Sequence, residues 1–308
     1  MPIATKEFLA ELEALAGCRR AEIRALPDTV TDMGEYAFAE CISLPAVVLP
    51  AELTEISDGV FAGCSSLKRI DAPAGLRTLG NRAFAGCSSL EDISWLRDVT
   101  DMGEYVFDSC TSLKEATLPT AMTAIMDGTF NACSGLQTVT LSPVTEVIGR
   151  RAFGGCSALS NVSIPEQTRE ILAEAFADCS SLTAVSLPST LRFLGQSAYA
   201  GCSSMIDLTI PADVTEMGET VLAGCTSLKT LSVPYIGRSR DNAAELAYLM
   251  GSDIPESLRS VQVTHALTLA NDTFNNCSGI ESIQLASGLT AIGENAADVV
   301  SLREAVRP

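Results

Sequence analysis

The sequence predicts a single α/β solenoid, an array of about twelve stacked coils with one strand sheet along one face. Two observations lead to this fold class: cysteines recur at a fixed interval, and an alternating apolar pattern follows them. The first ten cysteines are spaced 23 residues apart without exception, and an eleventh follows: Cys18, Cys41, Cys64, Cys87, Cys110, Cys133, Cys156, Cys179, Cys202, Cys225 and Cys277. A period of roughly 20 to 50 residues is typical of arrays in which each repeat is one supersecondary unit.

Each repeat contains one predicted strand after its cysteine. Apolar side chains stand six and eight residues after the cysteine, as Val139 and Leu141 do, and this alternation indicates a strand with one buried face. A proline such as Pro165 usually ends the strand, because proline has no N–H group with which to continue a ladder. A second short extended segment is predicted fifteen residues after the cysteine, where Ile148 precedes Gly149.

The consensus of the repeat is L-x-x-I-x-L-P-x-x-L-x-x-I-G-x-x-A-F-x-x-C-S-S, with AFAGCSSL at residues 83–90 and VFAGCSSLKRI at residues 60–70. This pattern resembles the BspA-type leucine-rich repeat family of bacterial surface and secreted proteins, over roughly residues 15–300. The resemblance implies a leucine-rich repeat fold and an adhesin-like or host-interaction role. It implies no particular enzymatic activity, because the family shares an architecture more than an activity.

The repeat pattern predicts one domain over residues 1–308. Its parts are expected to be an N-terminal cap and first coil (1–26), regular coils (27–234), a helical excursion within one coil (235–254), and final coils with a C-terminal cap (255–308). The excursion lengthens its coil by seven residues, and DNAAELAYLMG within it predicts a short helix that ends at Gly251.

Both ends of the array are predicted to carry caps, because an open coil would expose apolar side chains and unpaired strand edges. Phe8, Leu9 and Leu12 fall on one face of an amphipathic N-terminal helix. At the other end, Ala297 and Val300 stand where Phe and Cys are expected, and a degenerate last repeat is typical of a cap.

The charge of the chain excludes some partners. With 38 Asp and Glu against 20 Lys and Arg, the formal net charge is −18, which disfavours nucleic acid and anionic membrane surfaces. The chain has no apolar run long enough for direct membrane insertion, and the start MPIATKEFLAEL does not read as a secretory signal. The family resemblance favours a surface or secreted location, and the missing signal leaves a cytoplasmic one open. Oligomeric state is not predicted.

The cysteines are interpreted as buried free thiols rather than disulfides or metal ligands. Each has equivalent neighbours on both sides, and each lies between inward Phe and Leu positions. The sequence has no C-x-x-C pair, and His265 is its one imidazole, so no metal site and no cofactor are expected. Nucleotide-binding, zinc-protease and serine-hydrolase motifs are also absent from the sequence, and we predict that the protein is not an enzyme.

Two groups of residues are candidate ligand-binding sites. The first lies at outward strand positions and carries mixed charge, which can set register and specificity: Lys68, Arg69, Asp71, Glu91, Asp92 and Glu115. The second lies in the excursion and contains residue types enriched in interface hot spots: Tyr235, Arg238, Arg240 and Tyr248. The alternative for the first group is an ordinary solvated face, and for the second it is packing against neighbouring coils. Trp95 is interpreted as a core side chain.

The leading functional hypothesis is therefore a non-enzymatic repeat protein that presents a rigid strand face to protein or glycan ligands. A second hypothesis is a cytoplasmic or virion-associated interaction scaffold, since the sequence shows no secretory signal and a thiol-rich core suits a reducing compartment. The third and weakest is an enzyme, which would require convergent titratable groups in a pocket.

Overall fold

The computed structural model describes residues 26–296 and the strand Glu304–Val306. These residues form a β-solenoid of about eleven turns with little helix. The helices in this part of the chain are the 3-10 helix Ser94–Asp98 and the α-helix Ala247–Met250. The predicted N-terminal capping helix lies outside the described residues, as do Ala297 and Val300. The strand Glu304–Val306 continues the sheet past the point where the repeat pattern decays.

The first sheet is built from the strand that follows the cysteine in most coils. Its strands run parallel, and where neighbouring coils both have a strand, each residue pairs with the equivalent residue of the next coil, as Val47 pairs with Ile70. The strands are Ala46–Val48, Arg69–Asp71, Glu115–Thr117, Thr138–Thr140, Asp207–Thr209, Thr230–Val233, Ser260–Val263, Ser282–Gln284 and Glu304–Val306. Between Thr140 and Asp207 the pairing is reduced to isolated bridges, Ser163 with Ser186 and Ala184 with Asp207.

The second sheet consists of two-residue parallel strands on another side of the coil. They are Glu55–Ile56, Thr78–Leu79, Asp101–Met102, Ala124–Ile125, Val147–Ile148, Glu170–Ile171, Phe193–Leu194, Glu216–Met217, Thr268–Leu269 and Ala291–Ile292. The glycine that follows several of them permits close stacking of the coils. A Cβ on Gly149 would stand 2.6 Å from the carbonyl oxygen of Ile125, so a side chain there would push two coils apart.

The segment before each cysteine is a series of turns rather than a helix, which corrects the α/β class. In the coil that ends at Cys110, Tyr105 has φ of 55° and Ser109 has φ of 60°. Equivalent positions of other coils are also left-handed, occupied by glycine or by a polar residue in most of them. Left-handed residues interrupt the right-handed backbone that a helix requires, so the chain reverses direction here without forming one.

The interior is a column of stacked rings beside a column of cysteines. From Phe38 to Tyr199, successive rings lie 5.2 to 5.6 Å apart between centroids and nearly parallel. The thiols from Cys64 to Cys225 are buried and form no disulfide. None of the helices in residues 26–296 has the length and apolar character that crossing a membrane requires.

The insertion after Pro234 contains more strand and less helix than expected. Gly237–Ser239 and Asn242–Ala243 pair as an antiparallel hairpin. The α-helix that follows, Ala247–Met250, is one turn long and ends at Gly251, whose φ is 77°. We predicted a helix within residues 241–251, but Asn242–Ala243 belongs to the hairpin, so the helix begins later and is shorter than expected.

Candidate binding surfaces

The first sheet is interrupted at one coil by the 3-10 helix Ser94–Asp98, which we call the Trp95 turn. Leu96 occupies the position at which Pro73 and Pro119 end the strands of the flanking coils. The carboxylate of Asp92 accepts hydrogen bonds from the Ser94 N–H at 2.8 Å and from the Ser94 hydroxyl at 3.1 Å. A local bond of this kind favours a turn over a strand.

Trp95 fixes the turn to the core. Its indole packs edge-on against Phe84 at 5.5 Å between centroids and lies 6.4 Å from Phe107. The side chain is partly buried, in accordance with a core role, and its Nε1 is buried without a hydrogen-bond partner among the described residues. The turn is therefore anchored by an aromatic contact, in place of the strand pairing of other coils.

Two grooves flank the Trp95 turn. One has a volume of about 520 Å³ and is lined by Glu91, Asp92, Ile93, Ser94, Arg97, Lys114, Glu115, Thr117, Leu118, Pro119 and Thr120. The other has a volume of about 410 Å³ and is lined by Arg69, Ile70, Asp71, Ala72, Pro73, Ala74, Asp92, Ser94, Trp95, Arg97 and Asp98. Both volumes are in the range of about 300 to 1,000 Å³ that is usual for ligand pockets.

The structure brings most of the first group of predicted residues to these grooves. All six are exposed: Lys68, Arg69, Asp71, Glu91, Asp92 and Glu115. Lys68 lines neither groove, and the structure adds Arg97 and Lys114, which sequence reasoning missed. Arg97 lies in the turn that the strand pattern did not predict. We call Arg69, Asp71, Glu91, Asp92, Arg97, Lys114 and Glu115 the mixed-charge surface.

Some of these charges are engaged and others are available to a ligand. Arg69 pairs with Asp71 at 3.1 Å and Arg97 with Asp98 at 3.3 Å. Both pairs are exposed, and exposed pairs contribute little to stability. Glu91, Lys114 and Glu115 form no ion pair with any residue in the described range. The surface thus carries unpaired charges of both signs beside two grooves.

The second group of predicted residues is separated by the fold. Tyr235 is 3% exposed, because the apolar segment that follows strand Thr230–Val233 turns into the core, and this removes it from the candidate surface. Tyr248 is half-buried and its hydroxyl donates to the carbonyl oxygen of Met217 at 2.9 Å. Arg238 and Arg240 are exposed. The Nε and Nη2 atoms of Arg238 bond Oε1 of Glu216 at 3.0 and 2.8 Å.

A third groove, which we call the insertion groove, lies beside Arg238 and Tyr248. Its volume is about 440 Å³, and it is lined by Arg150, Leu172, Ala173, Phe193, Gly195, Gln196, Glu216, Met217, Gly218, Glu219, Arg238 and Tyr248. Sequence reasoning did not predict this groove, because its walls come from four coils and from the insertion.

A model of the BspA type leucine-rich repeat region matches residues 11–137, 123–243 and 254–306, in six copies. The chain belongs to the BspA-type leucine-rich repeat family. Similar solved structures include a leucine-rich repeat protein from Bacteroides ovatus, at 27% identity and a TM-score of 0.75 over 89% of this chain and 71% of that one. A leucine-rich cell surface protein from Faecalibacterium prausnitzii has 23% identity and a TM-score of 0.46 over 93% and 92% of the chains. No curated protein matches significantly.

Within this BspA-type array, the described residues contain no cluster of three or more His, Cys, Asp or Glu side chains that could hold a metal ion. His265 is exposed in a turn, and its Nδ1 lies 2.8 Å from the hydroxyl of Thr264. All three grooves are lined by charged and polar side chains, and two of them also have aromatic lining residues, Trp95 in one and Phe193 and Tyr248 in the other.

Proposed function

We propose that this BspA-type chain is a non-enzymatic binding protein that recognises a protein ligand through the mixed-charge surface of its first sheet. The observation that supports the proposal is the position of the unpaired Glu91, Lys114 and Glu115 at one groove beside the Trp95 turn. Charges of both signs set the register and orientation of a protein partner, because a misaligned partner places like charges opposite each other.

The solenoid contributes rigidity to this surface. Stacked coils hold the outward side chains of Arg69, Asp92 and Glu115 at equivalent positions of successive repeats. The grooves also provide concave space that a flat sheet lacks. A protein ligand can then insert a loop on either side of the Trp95 turn while contacting the intervening charges.

We place this activity in an adhesin-like or host-interaction role, which the family resemblance to bacterial surface proteins supports. The thiol-rich core was one of two reasons for considering the alternative of a scaffold in a reducing compartment. Burial raises the pKa of thiols such as Cys87 and Cys133 to about 12, so they resist oxidation in either compartment. The thiols therefore do not favour the scaffold hypothesis.

The test compares wild type with a charge-reversal variant and a matched control. Glu91→Lys combined with Glu115→Lys reverses two charges of the mixed-charge surface. Glu52→Lys combined with Glu166→Lys makes the same change in net charge at exposed positions elsewhere. Each immobilised protein is exposed to serum and extracellular-matrix proteins, and every partner retained by wild type is purified and titrated against all three.

We expect a partner whose dissociation constant is about tenfold or more weaker for the first double variant and unchanged for the control. If retained partners bind all three proteins alike, the mixed-charge surface is not the recognition site. If wild type retains no partner from these extracts, the adhesin-like role is wrong.

A further inference from the structure

The insertion groove lies on the second sheet and shares no lining residue with either groove of the mixed-charge surface. Its floor is formed by strands Phe193–Leu194 and Glu216–Met217, and one wall by the insertion. The groove exists because the insertion lengthens one coil by seven residues and turns the extra residues back toward the second sheet.

The wall is fastened to the floor at two points. Arg238 of the hairpin bonds the carboxylate of Glu216 through Nε and Nη2. The hydroxyl of Tyr248, in the helical turn, donates to the carbonyl oxygen of Met217 in the same strand. These contacts hold the groove open in one shape, and a preformed site loses less free energy to ordering when a ligand binds.

Two aromatic rings border this space. Phe193 lies on the outward side of its strand, between Glu170 and Glu216 of the neighbouring strands, and is partly exposed. Tyr248 is also partly exposed on the opposite wall. Partly exposed rings in a groove provide flat apolar contact area for a ligand at a small cost in side-chain entropy.

The polar side chains around the rings include donors and acceptors that have no partner among residues 26–296. The guanidinium of Arg150, the amide of Gln196 and the carboxylate of Glu219 form no side-chain hydrogen bond in that range. The hydroxyl of Tyr235 is buried and has no hydrogen-bond partner in the part of the chain that the structure describes, and burial together with the charge of Glu216 raises the pKa of this tyrosine.

The formal charges at the groove cancel. Arg150 and Arg238 balance Glu216 and Glu219, in a chain whose net charge is −18. A site for an ionic ligand would carry an excess of the opposite charge. Balanced donors and acceptors around aromatic rings instead suit a neutral ligand whose hydroxyl groups both donate and accept and whose C–H faces are apolar.

We propose that the insertion groove binds a neutral oligosaccharide. A sugar ring stacks its C–H face on Phe193 or Tyr248, while its hydroxyl groups bond the free side chains of Arg150, Gln196 and Glu219. This site is separate from the mixed-charge surface, so the chain has two independent recognition sites on two sheets.

The probes are neutral hexasaccharides of glucose, xylose, mannose and N-acetylglucosamine, each titrated into the full chain by calorimetry and by saturation-transfer NMR. Phe193→Thr removes a ring at an outward strand position. Val147→Thr makes a related change in the same column two coils earlier, away from the groove. Glu219→Gln alters an exposed side chain whose carboxylate forms no hydrogen bond or ion pair with the described residues, so it tests the site even if Phe193→Thr fails to fold.

At least one hexasaccharide is expected to bind wild type and Val147→Thr equally. Phe193→Thr and Glu219→Gln are expected to weaken that binding about tenfold or more. The Glu91→Lys and Glu115→Lys variant should bind the sugar normally, which separates this site from the protein-binding surface. The proposal is overturned if no hexasaccharide binds wild type at millimolar concentration. It is also overturned if both Phe193→Thr and Glu219→Gln bind the sugar as tightly as wild type does. A third contradicting result is a groove that binds a hexalysine peptide but none of the sugars.

Discussion

The thiol of Cys133 donates a hydrogen bond of 3.0 Å to the carbonyl oxygen of Phe107 in the preceding coil. The same bond recurs at 3.0 to 3.3 Å along the whole column, from Cys64, Cys87, Cys110, Cys156, Cys179, Cys202 and Cys225 to the aromatic residue one coil earlier. The Phe107 oxygen also accepts the N–H of Cys110 at 3.2 Å. Cysteine is therefore a small buried side chain that packs and also links each coil to the one before it.

Replacing one thiol of this column should destabilise the array modestly. Cys133→Ala removes the bond to Phe107 and leaves a small void, while the Phe107 oxygen keeps its other donor, so we expect a loss of about 1 to 3 kcal/mol in the free energy of unfolding. Urea denaturation measures it. Ser134→Ala, at the exposed neighbouring position, should change the free energy by less than about 0.5 kcal/mol. Equal effects of the two changes would mean that the thiol bond contributes nothing.

The buried thiols should make the fold sensitive to alkali. Burial raises the pKa of Cys87, Cys133, Cys179, Cys225 and Cys277 to about 12, and it also raises the pKa of Cys110, Cys156 and Cys202. In the unfolded chain these thiols ionise near pH 8.5, at about the usual pKa of cysteine. Above that pH the unfolded state binds fewer protons than the folded state, so stability falls as pH rises.

Each such thiol lowers the free energy of unfolding by about 1.4 kcal/mol per pH unit once the unfolded chain is ionised. Eight of them together give a slope on the order of 10 kcal/mol per pH unit, which should produce a sharp loss of the folded state between about pH 8.5 and 10. The loss can be measured as the midpoint urea concentration of unfolding, determined in the presence of reductant at a series of pH values from 7.5 upward. In a Cys133→Ala and Cys156→Ala double variant, the free energy of unfolding should fall less steeply with pH, by the contribution of two thiols. An unchanged slope would contradict the assignment of these two thiols as buried groups with a raised pKa.

The regular part of the fold was predictable because the same pattern of apolar and polar residues recurs at the same positions of every 23-residue repeat. The alternation at Val139 and Leu141 predicts which side chains face the core, and both are buried. The backbone of the turns was less predictable. Tyr105 and Ser109 adopt left-handed conformations that their residue types do not favour, and only the glycines in other coils, such as Gly128 and Gly63, indicate that backbone.

The candidate sites were predictable only where they follow the period. Asp92 and Glu115 were found because outward strand positions follow from alternation, whereas Arg97 was missed because it lies in the Trp95 turn. Leu96 replaces the usual proline, but Ser142 does the same in a coil whose strand Thr138–Thr140 is intact, so the missing proline alone did not indicate the turn. Tyr235 was predicted at an interface from its residue type, but its side chain lies in the core. The tertiary fold determines that position, and residue type alone does not indicate it.

The stacked rings should be the strongest stabilising element in the middle of the array. Phe130 is fully buried between Phe107 and Phe153, with centroids 5.6 Å away on each side. Phe130→Ala should cost about 3 to 5 kcal/mol, because the cavity cannot collapse without moving two coils. Glu91→Ala, at an exposed position, should change the free energy by less than about 0.5 kcal/mol in the same urea titration. Similar midpoints for both variants would contradict the assignment of inward and outward positions.

One ring of this column is less well matched to its surroundings. Tyr199 stacks on Phe176 at 5.2 Å and is fully buried, and its hydroxyl has no hydrogen-bond partner among the described residues. Burial raises the pKa of Tyr199 well above its usual value. A buried hydroxyl without a partner costs about 1 to 3 kcal/mol relative to an apolar group of the same shape.

Tyr199→Phe should therefore raise the free energy of unfolding, by about 1 kcal/mol or more, and shift the thermal midpoint upward. Phe176→Tyr is the matched reverse change, because it places a second hydroxyl in the adjacent ring position, and it should be destabilising by a similar amount. Calorimetric scans of wild type and the two variants decide the point. If Tyr199→Phe is destabilising, the hydroxyl has a partner that stabilises the column, and the explanation of this residue as a polar mismatch fails.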